Sequence, residues 1–271
     1  MSLSQEVRWL PGGARIVAQA RAELPQKNEL CAAFTAAVCL RAHGVRVIDQ
    51  DEVACAAGSV LLDGASACLP PGEAGRTDYR IALPRTSEPA GAGTSAAGVA
   101  HAVERLSGGA LAAVPACGEW TVSALVGLLD GARQHSRVGV MANVDTASFA
   151  AHDTPQQALR DYLATGFPPL WTSRWRVGHF VLLAGSLPGP GGAVVSVVDT
   201  YASLGDRGVH LQPISNVVAA LRREDTPEEG GVLLVVPAAE AELARRRVVA
   251  AGLRVRLWDN GSPAPEHLPR T

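Results

Sequence analysis

The chain of 271 residues is 47% hydrophobic and 18% charged, which predicts a folded protein with a full core and excludes an intrinsically disordered chain. Its 24 basic and 26 acidic residues give a formal net charge of −2 without a long basic block, so we expect no nucleic-acid partner. No apolar run reaches the ~18 residues of a membrane span. The N-terminal residues lack the pattern of a signal peptide, and we therefore expect a cytoplasmic protein without a membrane partner.

Five cysteines are scattered along the chain, and none forms a CxxC pair. An odd number of dispersed cysteines in a reducing compartment predicts neither a disulfide framework nor a zinc site built from thiolates. We therefore expect no metal and no cofactor.

Helical and turn patterns dominate the first half of the chain. Hydrophobic periodicity, helix caps and turn residues indicate the element bounds. In chain order they predict a helix over 6–22, a helix over 31–43 ending before Gly44, a short helix from Asp49 or Gln50 to Gly58, turns over 58–77, a strand over 78–84, a helix over 96–109, a strand over 110–115, a helix over 119–134 and a strand over 137–144.

The second half is richer in β-branched runs, which predict strands. The PGPGG segment between two of them has the composition of a hairpin turn. The predicted elements are a helix over 155–165, strands over 177–185 and 193–201, a helix over 213–222, a strand over 230–237, a helix over 238–252 and a strand over 254–258. We predict one domain over 1–258, in which 60–150 is an elaboration of unassigned place, and a disordered tail over 259–271.

Cys31 stands at the predicted N-terminus of an apolar helix. Free backbone N–H groups and the helix dipole favour an anion at that end. They lower the pKa of a thiol, and the thiolate is the nucleophilic form of cysteine. Cys31 is therefore a candidate nucleophile, although a cysteine in an Ala-rich helix also suits simple core packing.

His179 begins one predicted strand, and Asp199 ends the next. A short hairpin between two antiparallel strands brings these two positions to one edge of a sheet. The carboxylate can then fix the imidazole tautomer while the other ring nitrogen faces a thiol. A histidine that begins a strand and an aspartate that forms a turn also have purely structural explanations.

The segment PQKNELC with its helix, followed by GHF and VVDTY on successive strands, resembles the papain-like cysteine peptidase superfamily. Within that superfamily it is most similar to the bacteriocin-leader (double-glycine leader) peptidases. The chain also resembles, over most of its length, a bacterial domain family of uncharacterised function.

The superfamily resemblance implies an α+β papain-like cysteine protease fold, in which an N-terminal helix carrying Cys31 packs on an antiparallel sheet carrying His179 and Asp199. It also implies that Gln26 supplies an oxyanion-hole donor beside the backbone N–H of Cys31. Gln26 precedes Cys31 by five residues, whereas six is usual in those peptidases. The candidate substrate-binding residues are Trp171, Trp175, Arg176 and Tyr201.

Three functions remain open at this point. The first is a cysteine-dependent peptidase or amidohydrolase that works through a thioester acyl-enzyme. The second is an acyltransferase of natural-product biosynthesis that forms amide bonds from an acyl-carrier-bound small molecule. The third is an inactive scaffold that binds a peptide or a protein partner.

Overall fold

A seven-stranded antiparallel sheet runs through the centre of the α+β structure, a computed structural model that describes residues 3–64 and 68–265. The strands are β1 (Arg8–Trp9), β2 (Leu61–Leu62), β3 (Arg85–Thr86), β4 (Leu111–Ala116), β5 (Gly139–Asp145), β6 (Gly178–Gly189), β7 (Gly192–Val198), β8 (Val209–Pro213) and β9 (Val232–Pro237). The strand order of the sheet is β4-β9-β5-β6-β7-β8, and β1 pairs with the second half of β6. A separate parallel pair is formed by β2 and β3.

Helices cover both faces of this sheet. They are α1 (Leu3–Glu6), α2 (Gly13–Glu23), α3 (Cys31–Ala42), α4 (Gln50–Ala57), α5 (Ala96–Leu106), α6 (Val122–Ala132), α7 (Gln156–Thr165), α8 (Ile214–Leu221) and α9 (Ala241–Ala250). One core lies between the sheet and α2 to α5, and the other between the sheet and α6, α8 and α9. On β6, Leu182 faces the first core while Val181 and Leu183 face the second, as the alternation of a strand requires. Among the described helices, none has the length and apolarity needed to cross a membrane.

Helix α3 packs against β5 and β6 of the sheet, and ten of its twelve residues are buried. Its small side chains allow this approach. A Cβ on Gly139 of β5 would lie only 2.4 Å from Sγ of Cys39, so glycine is needed there. Burial raises the pKa of the Cys39 thiol, as expected for a cysteine that serves only in packing. The close contact fixes where the N-terminus of α3 meets the sheet.

The hairpin of β6 and β7 has the predicted two-strand form. Its register pairs Gly189 with Gly192 at the turn and Leu182 with Val198 towards the open end. A register shift between Leu183 and Gly185 marks a β-bulge within β6. His179 and Asp199 consequently lie at the same edge of the sheet, beside the N-terminus of α3.

Three element predictions are wrong. The predicted helix over 6–22 begins only at Gly13, because residues 8–9 form β1 and a turn follows at Pro11 and Gly12, where Gly12 has a φ of 90°. Residues 78–84 form no strand. The backbone N–H groups of Arg80 and Ile81 donate to the Asp51 carboxylate and not to a neighbouring strand. The predicted strand over 254–258 is reduced to one bridge between Arg254 and Cys117.

The region 60–150 contributes β4 and β5 to the central sheet, so it is an integral part of the fold. At the other end, Asn260 donates from Nδ2 to the carbonyl oxygen of Thr94 at 3.0 Å. Residues 259–265 therefore lie against the body of the protein. The prediction of a disordered tail stays a prediction for 266–271, which lie outside the described residues.

Substitution of Gly98 tests how closely α5 packs against α4. A Cβ at Gly98 would lie 2.1 Å from the carbonyl oxygen of Ala57, whereas one at Gly127 on α6 would make ordinary contacts at 3.4 Å. We expect Gly98→Ala to lower the free energy of unfolding by about 1–3 kcal/mol. Gly127→Ala should leave it unchanged or raise it by up to about 1 kcal/mol. Urea unfolding of both variants measures this, and equal effects would contradict the packing described.

Candidate active site

His179 and Asp199 form a buried hydrogen-bonded pair. Nε2 of His179 donates to Oδ1 of Asp199 at 2.8 Å, and the backbone N–H of Thr200 donates to the same oxygen at 2.7 Å. Both side chains are 2% exposed. Burial alone would lower the pKa of His179, but the charge and hydrogen bond of Asp199, together with Cys31, raise it to about 10. Asp199 and Cys31 therefore favour the protonated, cationic form of the imidazole.

Cys31 meets this pair from α3. It is the first residue of the helix, its side chain is partly exposed, and its thiol hydrogen-bonds the His179 ring. Because Nε2 of that ring is held by Asp199, Nδ1 is the nitrogen left to face the thiol. Burial would raise the pKa of Cys31, but His179 and the backbone N–H groups of Phe180 and Ala32 outweigh it and lower the pKa. The structure therefore brings a thiol with a lowered pKa, an imidazole with a raised pKa and a carboxylate together in one array.

A second histidine, which the sequence did not indicate, completes the shell around Asp199. Nε2 of His210 donates to Oδ2 of Asp199 at 3.1 Å. Nε2 of Gln212 donates to Nδ1 of His210 at 3.0 Å, which leaves the His210 proton on the side of the carboxylate. The Gln212 amide is itself oriented, because its oxygen accepts from the Ala150 N–H at 2.8 Å and its nitrogen donates to the Ala150 carbonyl at 2.9 Å.

His210 and Gln212 lie two residues apart on β8 and therefore point to the same side. The alternation of polar and apolar residues in His210, Leu211 and Gln212 is a pattern of strands, but it is too short to predict one from the sequence. The result is a hydrogen-bonded chain from Gln212 through His210, Asp199 and His179 to Cys31.

The thiol opens into a cavity of about 380 Å³. Trp175 and Tyr201, two of the predicted substrate-binding residues, line it. Trp175 packs its edge on the His179 ring with centroids 4.8 Å apart. Trp171, which is 50% exposed, and the exposed Arg176 lie outside the lining, so the structure does not bring them to the thiol.

Gln26 lines the same cavity and is buried. Its backbone N–H donates to the Thr200 carbonyl at 2.9 Å, which ties the segment before α3 to the end of the hairpin. Its side chain hydrogen-bonds the Tyr201 hydroxyl, and Oε1 has no partner among the described residues. Burial, with the nearby charge of Cys31, raises the pKa of Tyr201, so that hydroxyl keeps its proton.

Lys27 anchors this segment from the other side. It is the only lysine in the chain, and its side chain is fully buried. Nζ lies 3.0 Å from Oδ2 of both Asp49 and Asp51, and it donates to the Asp78 carbonyl at 2.8 Å. The backbone N–H of Lys27 donates to Oε1 of Gln50 at 2.8 Å. The residue next to Gln26 is thus fixed by a buried ionic cluster at the start of α4.

Within residues 3–64 and 68–265, no three His, Cys, Asp or Glu side chains converge as a metal site. The arrangement that the cavity does present is a nucleophilic thiol, a proton-carrying imidazole and an amide side chain around one space. This set can perform acyl transfer at a carbonyl carbon.

The chain belongs to a family of unknown function, DUF6885, which matches residues 10–259. The match confirms the resemblance to an uncharacterised family over most of the chain, and it includes Cys31, His179 and Asp199. No curated protein matches the chain. The relation to papain-like peptidases stays a prediction.

The pH dependence of Cys31 alkylation by iodoacetamide tests the thiol–imidazole pair. In the wild type, the midpoint of the rate–pH profile should lie below pH 8.5, the ordinary thiol pKa, because His179 stabilises the thiolate. In His179→Ala, burial is no longer offset by a cation, so the midpoint should move to about 8.5 or above. Superimposable profiles would contradict the pair, and mass spectrometry assigns the alkylated cysteine.

Loss of the Lys27 charge should unfold the segment that carries Gln26. Lys27→Met leaves two acidic side chains buried without their cation, and we expect the free energy of unfolding to fall by about 3–5 kcal/mol. Arg245→Met is the matched control, because Arg245 pairs with Glu242 on the exposed face of α9 and should contribute less than about 1 kcal/mol. Chemical denaturation measures both, and similar small changes would contradict the assigned role.

Proposed function

We propose that this protein is a cysteine-dependent acyl-transfer enzyme, with hydrolysis of an amide or thioester as its default reaction. The observation that carries the proposal is the hydrogen-bonded series Cys31–His179–Asp199 at the wall of a cavity. A buried thiol placed only for packing would show a raised pKa, as Cys39 does. The pKa of Cys31 moves in the opposite direction because a histidine and two backbone N–H groups surround it.

The proposed reaction begins when Sγ of Cys31 attacks the carbonyl carbon of the substrate. A C–S bond forms, and the carbonyl oxygen becomes an oxyanion. His179 gives its Nδ1 proton to the leaving amine or thiol as the bond to the carbonyl carbon breaks, and a thioester remains on Cys31. His179 then accepts a proton from water, which attacks the thioester. The C–S bond breaks, the acid product leaves, and the Cys31 thiolate is restored beside the protonated His179.

The oxyanion requires donors beside the thiol. The backbone N–H of Cys31 is the first of them in the proposal, because the leading N–H groups of a helix have no partner within it. Gln26 is the second. Support for this role comes from its burial, its place in the cavity lining and the contacts that fix its backbone. The five-residue spacing to Cys31 is compatible with this placement, since both side chains reach the same cavity.

A papain-like fold is part of the proposal. It is supported by a helix that carries Cys31 at its N-terminus and packs on an antiparallel sheet that carries His179 and Asp199. The order Cys, His, Asp along the chain is the order that the resemblance implies. The proposed acyl donor is a peptide or an acyl-carrier-bound small molecule, and the chemistry requires no cofactor.

Acyl-enzyme formation tests the proposal directly. The purified protein is incubated with activated acyl esters, acyl thioesters and peptide amides, and its intact mass is followed. We expect an acyl adduct on Cys31 and turnover that falls by at least ~10³-fold in Cys31→Ala and in His179→Ala. Cys39→Ala is the matched control and should retain turnover.

The acceptor is tested by adding an amine to the same reactions. Release of the free acid identifies a hydrolase, and an amide product identifies an acyltransferase. The absence of any adduct or turnover, combined with an ordinary thiol pKa, would contradict both and favour the scaffold that binds a peptide or a partner.

A further inference from the structure

A buried arginine that the proposed chemistry does not use lines the same cavity as Cys31. Arg223 is 8% exposed and follows the end of α8 with φ of 28°. Among the described residues, three that are not glycine have positive φ, and two of them, Glu29 and Arg223, line this cavity. Backbone held in such sparsely populated conformations concentrates at ligand sites.

The guanidinium is held in one orientation by two polar side chains. Nε donates to Oδ1 of Asp225 at 2.8 Å, and Nη2 donates to the other oxygen of the same carboxylate. Nη1 donates to Oδ1 of Asn143 at 3.1 Å. An arginine has five N–H donors. One on Nη1 and one on Nη2 consequently have no partner among residues 3–64 and 68–265.

Arg223 also contacts the strand that carries His179. A Cβ on Gly178 would be 2.5 Å from Nη2 and 3.0 Å from Cζ of Arg223, so a larger residue at position 178 would require the guanidinium to move. Gly178 directly precedes His179 on β6. Arg223 therefore lies against the backbone next to the catalytic imidazole.

The carboxylate that pairs with Arg223, that of Asp225, lies outside the cavity lining. Asp225 is about half exposed and is not among the lining residues, whereas Arg223 is. The acidic side chain in the lining, Glu29, is already engaged, because its Oε2 accepts the N–H of Leu62 at 2.8 Å. Arg223 thus retains one N–H on Nη1 and one on Nη2 for an anion in the cavity that it lines, and guanidinium N–H groups bind carboxylates well.

We propose that Arg223 binds a carboxylate of the acyl donor. The substrate class is then an acyl compound with a free carboxylate close to the carbonyl that Cys31 attacks. This inference rests on the proposed function, since it assumes that Cys31 is the nucleophile. Arg223 selects the substrate and takes no part in proton transfer.

Two alkylating reagents test the inference without knowledge of the substrate. Iodoacetate and iodoacetamide both form an S–C bond with Cys31 and release iodide, but only iodoacetate carries a carboxylate. The measured quantity is the rate constant for iodoacetate divided by the rate constant for iodoacetamide, both at Cys31. Peptide mass spectrometry assigns the alkylation to Cys31, because Cys68 lines the same cavity. In Arg223→Gln we expect this ratio to fall about 3- to 10-fold, as for the loss of one partly screened charge. The iodoacetamide rate should change less than about 2-fold.

Arg174→Gln is the matched control. Arg174 is 67% exposed, lies outside the cavity lining and pairs with Asp153 at the surface, so the same change of charge should leave the ratio unaltered. Asp225→Asn is a second variant that keeps the guanidinium and removes its counter-charge, and it should raise the ratio. It keeps the proposal testable if Arg223→Gln does not fold.

The outcomes separate this inference from the proposed function. An unchanged ratio in Arg223→Gln, or an equal fall in Arg174→Gln, would overturn the carboxylate site while leaving Cys31 as the nucleophile. An unchanged or lowered ratio in Asp225→Asn would overturn it as well. A wild-type Cys31 that reacts with iodoacetamide no faster than an ordinary thiol would overturn the proposed function itself.

Discussion

The buried carboxylate of Asp199 is the constraint on which the site depends. Burial of an unpaired carboxylate would raise its pKa, but the charge and hydrogen bond of His179 and the hydrogen bond of His210 hold the pKa of Asp199 well below its usual range. Each oxygen has its own histidine, and the N–H of Thr200 adds a further donor to Oδ1. These contacts orient the His179 ring, with Nε2 towards Asp199 and Nδ1 left for Cys31.

The sheet and the helices bring the members of this array together from distant parts of the chain. The register of β6 and β7 brings His179 and Asp199 to one edge, and β8 adds His210 from the neighbouring strand. Helix α3 reaches the same edge because Gly139 allows close contact with Cys39. The segment before α3 is fixed twice, by the buried ionic cluster of Lys27 and by the bond from Gln26 to Thr200. A rigid scaffold of this kind is what an oriented thiolate requires.

The sequence allowed the prediction of the parts that depend on local patterns. Cys31 was found from its place at a helix N-terminus, and His179 and Asp199 from two β-branched runs joined by a turn. His210 could not be found in this way, because its role depends on a short strand whose pairing with β7 is not encoded locally. Arg223 lies in the charged segment RREDTPEEG, which is typical of a solvated loop, yet tertiary contacts with Asn143 and Gly178 bury it. Trp171 and Arg176 precede His179 in the chain but diverge from the cavity in space.

The protonation state of His179 is the most direct test of this account. Nitrogen-15 NMR of the histidine rings, recorded at neutral pH in the wild type and in Cys31→Ser, reports whether both ring nitrogens carry protons. We predict an imidazolium at His179 in the wild type, with protons on Nε2 towards Asp199 and on Nδ1 towards the Cys31 thiolate. In Cys31→Ser, this cation should be less stable and lose its proton at lower pH. A neutral His179 in the wild type, unaffected by the substitution, would contradict the thiolate–imidazolium pair and the acyl-transfer chemistry built on it.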